Sequence, residues 1–178
     1  MHELHPQRTT QFCHEASQWA YDYYTELGYN VLFATVHGSY LYGTAHENSD
    51  LDFYVVVQEG KNSQKVYDDG TDVLRVSLEK FLSLVNAGSH QAVEALYSPY
   101  KVVNPDNPYS HLVTALQPSR SAFMRKSLSA ASSFRHRLEE TTDTKKAEKY
   151  ARHARRLEQS ALDMMDMRYN PVYTQFSS

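Results

Sequence analysis

The chain has 178 residues, 41% of them hydrophobic and 22% charged, enough for one domain with a real core or one domain with a helical annex. Its single cysteine, Cys13, excludes an internal disulfide and a thiolate metal cluster. The net charge of −3 is unevenly placed: residues 118–156 carry eleven Lys/Arg against four acids, so the remainder is acidic. Such a split suits either a phosphate-rich partner for the basic stretch or a solvated face that keeps the protein soluble.

Residues Met1 to Pro6 lack a basic head and apolar run, so no signal peptide is expected. Near-apolar runs reach only about seven residues, against the roughly 20 a membrane span requires, so a soluble cytoplasmic protein with no membrane partner is expected. Residues 9–27 predict a helix, because Phe12, Ala16, Trp19, Ala20, Tyr23 and Leu27 recur at helical spacing. Thr9 or Thr10 can cap its start and Gly28 can end it. Val31 to Val36 is a buried strand, followed by a break with two glycines, His37 to Thr44. Leu51 to Val57 is a second strand, residues 59–65 a turn, and Asp72 to Val76 a third strand entered through the turn signal Asp69-Gly70.

The rest reads as helical. Leu78, Phe81, Leu82 and Val85 share a face between a Ser77 cap and Gly88, and Ser89 opens a short helix with Val93 and Leu96. Pro99, Pro105 and Pro108 mark an irregular connection before a short helix at 109–116. A longer helix opens at Ser119 or Ser121 and runs through Phe123, Ser127, Ala131, Phe134 and Leu138. After a loop and cap at 141–144, the last helix runs to about Met167, its stripe being Ala147, Tyr150, Ala151, Ala154, Leu157, Ala161 and Met165. The expected class is α+β: a small mixed sheet flanked by helices, then a C-terminal helical bundle. We place the core in residues 1–104 and a helical region packed on it in residues 105–178.

The chemistry concentrates where Gly38-Ser39 is followed, ten residues later, by Asp50-Leu51-Asp52. On a strand, residues two apart point the same way, so Asp50 and Asp52 project together while Leu51, Phe53, Val55 and Val57 face a core. Two adjacent carboxylates repel and resist burial, an arrangement that cations relieve. Hard oxygens suit Mg²⁺, with Mn²⁺ as a substitute. Asp72 joins them if its strand pairs with theirs; Asp68, Asp69 and Glu79 are rivals for that third position. Three carboxylates can hold two metals about 3.5–4 Å apart, and the third acid can take a hydroxyl proton. Gly38 permits a tight turn and close ligand approach, and Ser39 offers a hydroxyl and an N–H. If residues 39–46 start a helix, its free N–H groups form an anion site.

The run from Gly38 to Asp52 resembles the nucleotidyltransferase signature of the DNA polymerase β superfamily: a strand, Gly-Ser, about ten residues, then Asp-x-Asp on a strand. More narrowly it is similar to a bacterial and phage group of predicted nucleotidyltransferases with a Gly-Ser-x-x-Tyr-Gly opening and a Ser-Asp-x-Asp close. Asp72 to Phe81, Val93 to Pro99 and the last helix from Lys145 to Pro171 resemble further parts of that group. The resemblance implies Asp50, Asp52 and Asp72 as catalytic metal ligands, and Gly38 and Ser39 as the nucleotide-binding cradle of an NTP such as ATP. It implies NMP transfer to an acceptor: a nucleic-acid end, a protein hydroxyl or a small molecule. One departure stands out: minimal relatives often carry a basic residue after Gly-Ser, and here the position is Tyr40.

Other polar residues admit two readings. Lys145, Lys149, Arg152 and Arg156 fall on one helix face, either a contact for an RNA or protein acceptor or a solvent face. Arg75 and Lys80 fall near the third strand, His37 is a nucleotide contact or a structural histidine, and Glu94 is a family match or an ion-pair partner. The alternative to an enzyme is an inactive protein of the same fold that binds nucleotide, RNA or a partner protein.

Overall fold

A computed structural model describes residues 10–173. The Met1 to Pro6 segment and Thr9 lie outside the described residues. Helix α1 spans Thr10–Glu26 and strand β1 spans Val31–His37. The single-turn helix α2, Gly38–Tyr42, lies in the break with two glycines, and is shorter than a helix starting over 39–46 would be. Strand β2 covers Asp52–Val57, one residue later than expected, and β4 covers Asp72–Ser77. Part of the expected turn is itself a short edge strand, β3, Ser63–Val66. Helices α3 (Leu78–Asn86) and α4 (His90–Tyr97) follow, then β5, Val102–Val103, inside the proline-marked connection. Helices α5 (Pro108–Thr114), α6 (Arg120–Glu140) and α7 (Thr144–Met165) complete the chain.

The sheet has five strands among the described residues, in the order β3-β4-β2-β1-β5. β2 runs antiparallel to β1 and parallel to β4, so the sheet is mixed. The class is α+β, as the order of elements predicts. β2 is central and its residues from Phe53 to Val57 are fully buried, which explains its unbroken run of large and β-branched side chains. Phe53, Val55 and Val57 pack with Val36, Val73 and the apolar stripe of α1, Phe12, Ala16, Ala20 and Tyr24. The alternate residues, Phe33 and Tyr54, meet Phe81 of α3, with ring centroids 5.4 and 6.0 Å apart. Burying three such aromatic side chains contributes on the order of several kcal/mol.

The described residues form two compact units, interleaved in sequence. The sheet unit takes residues 10–83, 94–116 and 171–173; the hairpin unit takes 84–93 and 117–170. In the hairpin unit, α6 packs against α7. Ser119 caps α6 and Asp143 caps α7, its carboxylate accepting the N–H groups of Lys145 and Lys146 at 2.9 and 3.1 Å. Ala154, Leu157, Ala161 and Met164 are buried on α7, whereas Met165, expected in the stripe, is 51% exposed. α7 ends at Met165, and Asp166 closes it by bonding to Leu162 and Met164.

Candidate active site

Strand β1 ends at His37 in extended backbone and the chain turns at Gly38, φ +61°. A left-handed φ favours glycine, and here space demands it as well: a Cβ would overlap the carboxylate of Asp52. The sheet register explains the approach. His37 pairs with Asp52 across β1 and β2, and Asp52 pairs with Asp72 across β2 and β4. Side chains in register on adjacent strands share a face, so His37, Asp52 and Asp72 form one row at the sheet end. The Asp72 amide donates to the Leu51 carbonyl at 3.1 Å, which ties the peptide between the first two acids to the third.

Asp50 is held differently. It precedes β2, and its carboxylate lies against Gly70, φ +84°, where a Cβ would overlap it. Hydrogen bonds around that turn fix the glycine: Tyr67 N–H to Thr71 at 2.8 Å, Gly70 N–H to Tyr67 at 2.9 Å, and Thr71 N–H to the Asp69 side chain at 3.0 Å. Asp50 and Asp52 thus reach the same end of the ladder without the strand alternation the sequence suggests. Asp69, a rival third acid, spends its carboxylate inside the turn, which holds it below the usual carboxylate range. Glu79 opens α3 and is exposed.

Asp72 has one oxygen bonded and one not. Its Oδ2 accepts from Gln64 Nε2 at 2.9 Å, while its Oδ1 is buried with no hydrogen-bond partner among the described residues. A buried carboxylate oxygen without a donor is the kind of vacancy a hard cation satisfies. Among the described residues, no three His, Cys, Asp or Glu side chains gather into a ready metal cage. A divalent cation bound at Asp72 would have to draw the rest of its shell from waters or substrate phosphates.

Ser39 follows Gly38 at the start of α2, and its carbonyl accepts from Thr44 and Ala45 at 2.9 and 3.1 Å. α2 is one turn long, so the extended helical anion site expected over 39–46 is reduced to the backbone of that turn. Tyr40, at the position that is basic in minimal relatives, is buried against Phe12 and belongs to the core. Arg75 points away from the acids: it lies on the opposite face from Asp72, stacks on Tyr29 at 4.1 Å and donates to the Lys61 carbonyl.

Beneath the row lies a cluster that spacing could not reveal. Glu94 of α4 is 1% exposed and accepts the Tyr42 hydroxyl at 2.6 Å. The same oxygen lies 3.2 Å from His37 Nε2, off the line that a hydrogen bond requires. His37 also sits between the rings of Tyr42 and Tyr54, at 6.2 and 5.6 Å. The sequence offers Glu94 as a family match or an ion-pair partner, a lone acid in the apolar stretch Ala92-Val93-Glu94-Ala95-Leu96, but nothing in it pairs Glu94 with His37 and Tyr42.

On the hairpin unit, Lys145, Lys149 and Arg152 are exposed along α7. Arg156, expected on that face, is half-buried instead. No described helix is long and apolar enough to cross a membrane.

Residues 24–97 match the family model described as Polymerase beta, Nucleotidyltransferase. No curated protein matches the chain. The matched segment begins in α1 and ends with α4, and so contains Gly38, Ser39, all three acids and Glu94. This match, over somewhat less than half of the chain, supports a nucleotidyltransferase of the polymerase β superfamily.

Proposed function

We propose that this polymerase β-type domain transfers a nucleoside monophosphate from an NTP to an acceptor hydroxyl, with release of pyrophosphate. The observation that carries the reading is the row of Asp52 beside Asp72, with a buried Asp72 oxygen lacking a donor, next to a glycine that has no room for a side chain. Asp50, Asp52 and Asp72 would hold two Mg²⁺ ions, or Mn²⁺ in their place. Such ions neutralise the charge of the triphosphate and of the attacking and leaving oxygens.

The chain's own residues do the positioning. Gly38 lets the backbone approach the phosphates, and Ser39 offers its hydroxyl and N–H to them. The acceptor oxygen attacks the α-phosphorus, the bond to the β-phosphate oxygen breaks, and the acceptor proton passes to Asp72. No side-chain nucleophile is needed, because orientation and charge neutralisation supply the rate. The acceptor is a nucleic-acid end, a protein hydroxyl or a small molecule; exposed Lys145, Lys149 and Arg152 on α7 favour RNA or a protein with an acidic surface. The protein would act in the cytoplasm.

The test uses each of the four α-³²P-labelled NTPs with Mg²⁺ or Mn²⁺ and a cell extract. Wild type is run beside the Asp50→Asn/Asp52→Asn double variant. Label entering RNA, protein or a small molecule with wild type alone would identify base and acceptor class together. Nucleotide binding with no transfer under any condition would replace the enzyme with a binding module of the same fold.

A further inference from the structure

We infer that Glu94 is a positioning residue for the nucleotide cradle, an inference that rests on the reading above. A carboxylate 1% exposed is costly, and an apolar side chain of similar size would stabilise the core at least as well. What Glu94 does instead is touch both flanks of α2. Its Oε2 meets the hydroxyl of Tyr42, the last residue of the turn, and His37, the residue before it, at 2.6 and 3.2 Å.

A helix of five residues has no stability of its own, because a single turn fixes several backbone dihedrals for very few hydrogen bonds. The Gly38-Ser39 backbone therefore keeps its shape through tertiary contacts: Tyr40 and Leu41, in the middle of the turn, are buried in the core, and polar contacts hold its ends. Glu94, 52 residues away from Tyr42 in sequence, reaches both ends with one side-chain oxygen. The effect extends to the acids: His37 is the register partner of Asp52, and the Asp52 carboxylate lies against Gly38. If the turn shifts, the cradle and one carboxylate shift together. Further support for the turn comes from the Tyr173 amide, which donates to the Tyr42 carbonyl at 3.0 Å, but that bond holds one end only.

The experiment compares Glu94→Gln, Glu94→Ala and Tyr42→Phe with wild type in two measurements. The first is hydrogen–deuterium exchange of the peptide covering residues 38–43, which needs no nucleotide. Glu94→Ala and Tyr42→Phe should exchange there about 10-fold faster or more, with α6 and α7 unchanged. The second is steady-state transfer. Glu94→Ala should raise KM for NTP about 10- to 100-fold and lower kcat by a smaller factor, and Glu94→Gln, which keeps an acceptor for Tyr42, should recover most of the loss. Unchanged exchange at 38–43 in variants that fold would overturn the inference. So would a wild-type KM in Tyr42→Phe and Glu94→Ala, or a KM defect in Glu94→Ala that vanishes on cooling well below its Tm. A wild-type protein that neither binds nor transfers nucleotide would remove the functional reading alone, and the exchange result would still decide whether Glu94 holds the turn.

Discussion

The two units use polar residues in opposite ways. In the sheet unit His37, Glu94, Thr35, Thr71 and Ser98 are buried, and one oxygen of Asp72 is sealed from water. Among the described residues of the hairpin unit, the buried polar residues are Ser127 and Ser160, while its lysines and most of its arginines stay in solvent. Desolvating a polar group costs free energy unless its partners are in place, so a buried one is tolerated only where several elements define its position together. An exposed charge costs little and specifies little. The contrast marks the sheet end as the place where a histidine and an acid are buried together, and the hairpin as the place where most charged side chains stay in solvent.

The sharpest way to break that comparison is Asp52→Asn. Transfer should fall by about 10²–10³-fold or more, since a charge that holds the phosphates' counterions is lost. Tm should stay level or rise, because one of two neighbouring carboxylates no longer repels the other. Radiolabel transfer and a thermal melt decide it; a collapse of Tm would mean that the acid is structural. Gly38→Ala comes next. The left-handed φ and the overlap with Asp52 should destabilise the fold by about 1–3 kcal/mol and also impair transfer, read from denaturant titration and the same assay. A variant of wild-type stability would show that the turn can relax.

Gln64→Ala removes the donor to Asp72 without touching the acids. It should cost about 10-fold in transfer at saturating nucleotide with Tm unchanged. An unchanged rate would leave Asp72 oriented by the ladder alone. The buried cysteine sharpens the comparison on the stability side. Burial pushes the Cys13 thiol up to about 12, so at neutral pH it is protonated and enclosed in the sheet unit. A thiol reagent should modify Cys13 only as fast as that unit opens, which hydrogen exchange of β1 and β2 can calibrate; rapid labelling of native protein would show a looser core.

The smallest effect is expected on the hairpin. Arg135 holds Glu158 through two hydrogen bonds, the second at 2.6 Å, and its guanidinium lowers the Glu158 carboxyl from the usual range. A depressed carboxyl contributes stability above its unfolded value and loses it as pH falls through the folded value. Arg135→Ala should therefore match wild type at acid pH and differ slightly near neutrality, less so in high salt, because both partners are solvent-exposed. A large difference in Tm would give the hairpin the same dependence on polar geometry as the sheet end.

Much was legible in the residues alone. The spacing of Phe12, Ala16 and Ala20 gave α1 its buried face, and β-branched runs located β1, β2 and β4. Gly38-Ser39 and the Asp-x-Asp pair pointed to the family whose model the domain matches. These features are local: a period of 3.6 or 2 records which side of an element is buried, whatever lies across from it. Short edge strands such as β3 and β5 escaped, because four and two residues carry too little pattern to register.

The tertiary structure decided the rest. Only the parallel pairing of β2 with β4 sets Asp72 beside Asp52 and leaves Asp68 and Asp69 in a turn. Only folding brings Gly70 against Asp50 and Glu94 against His37 and Tyr42. The physical reason is common to all three. Register and long-range polar contacts follow from how whole faces pack, a property of many residues together, whereas each residue's own preference is spent on choosing helix, strand or turn.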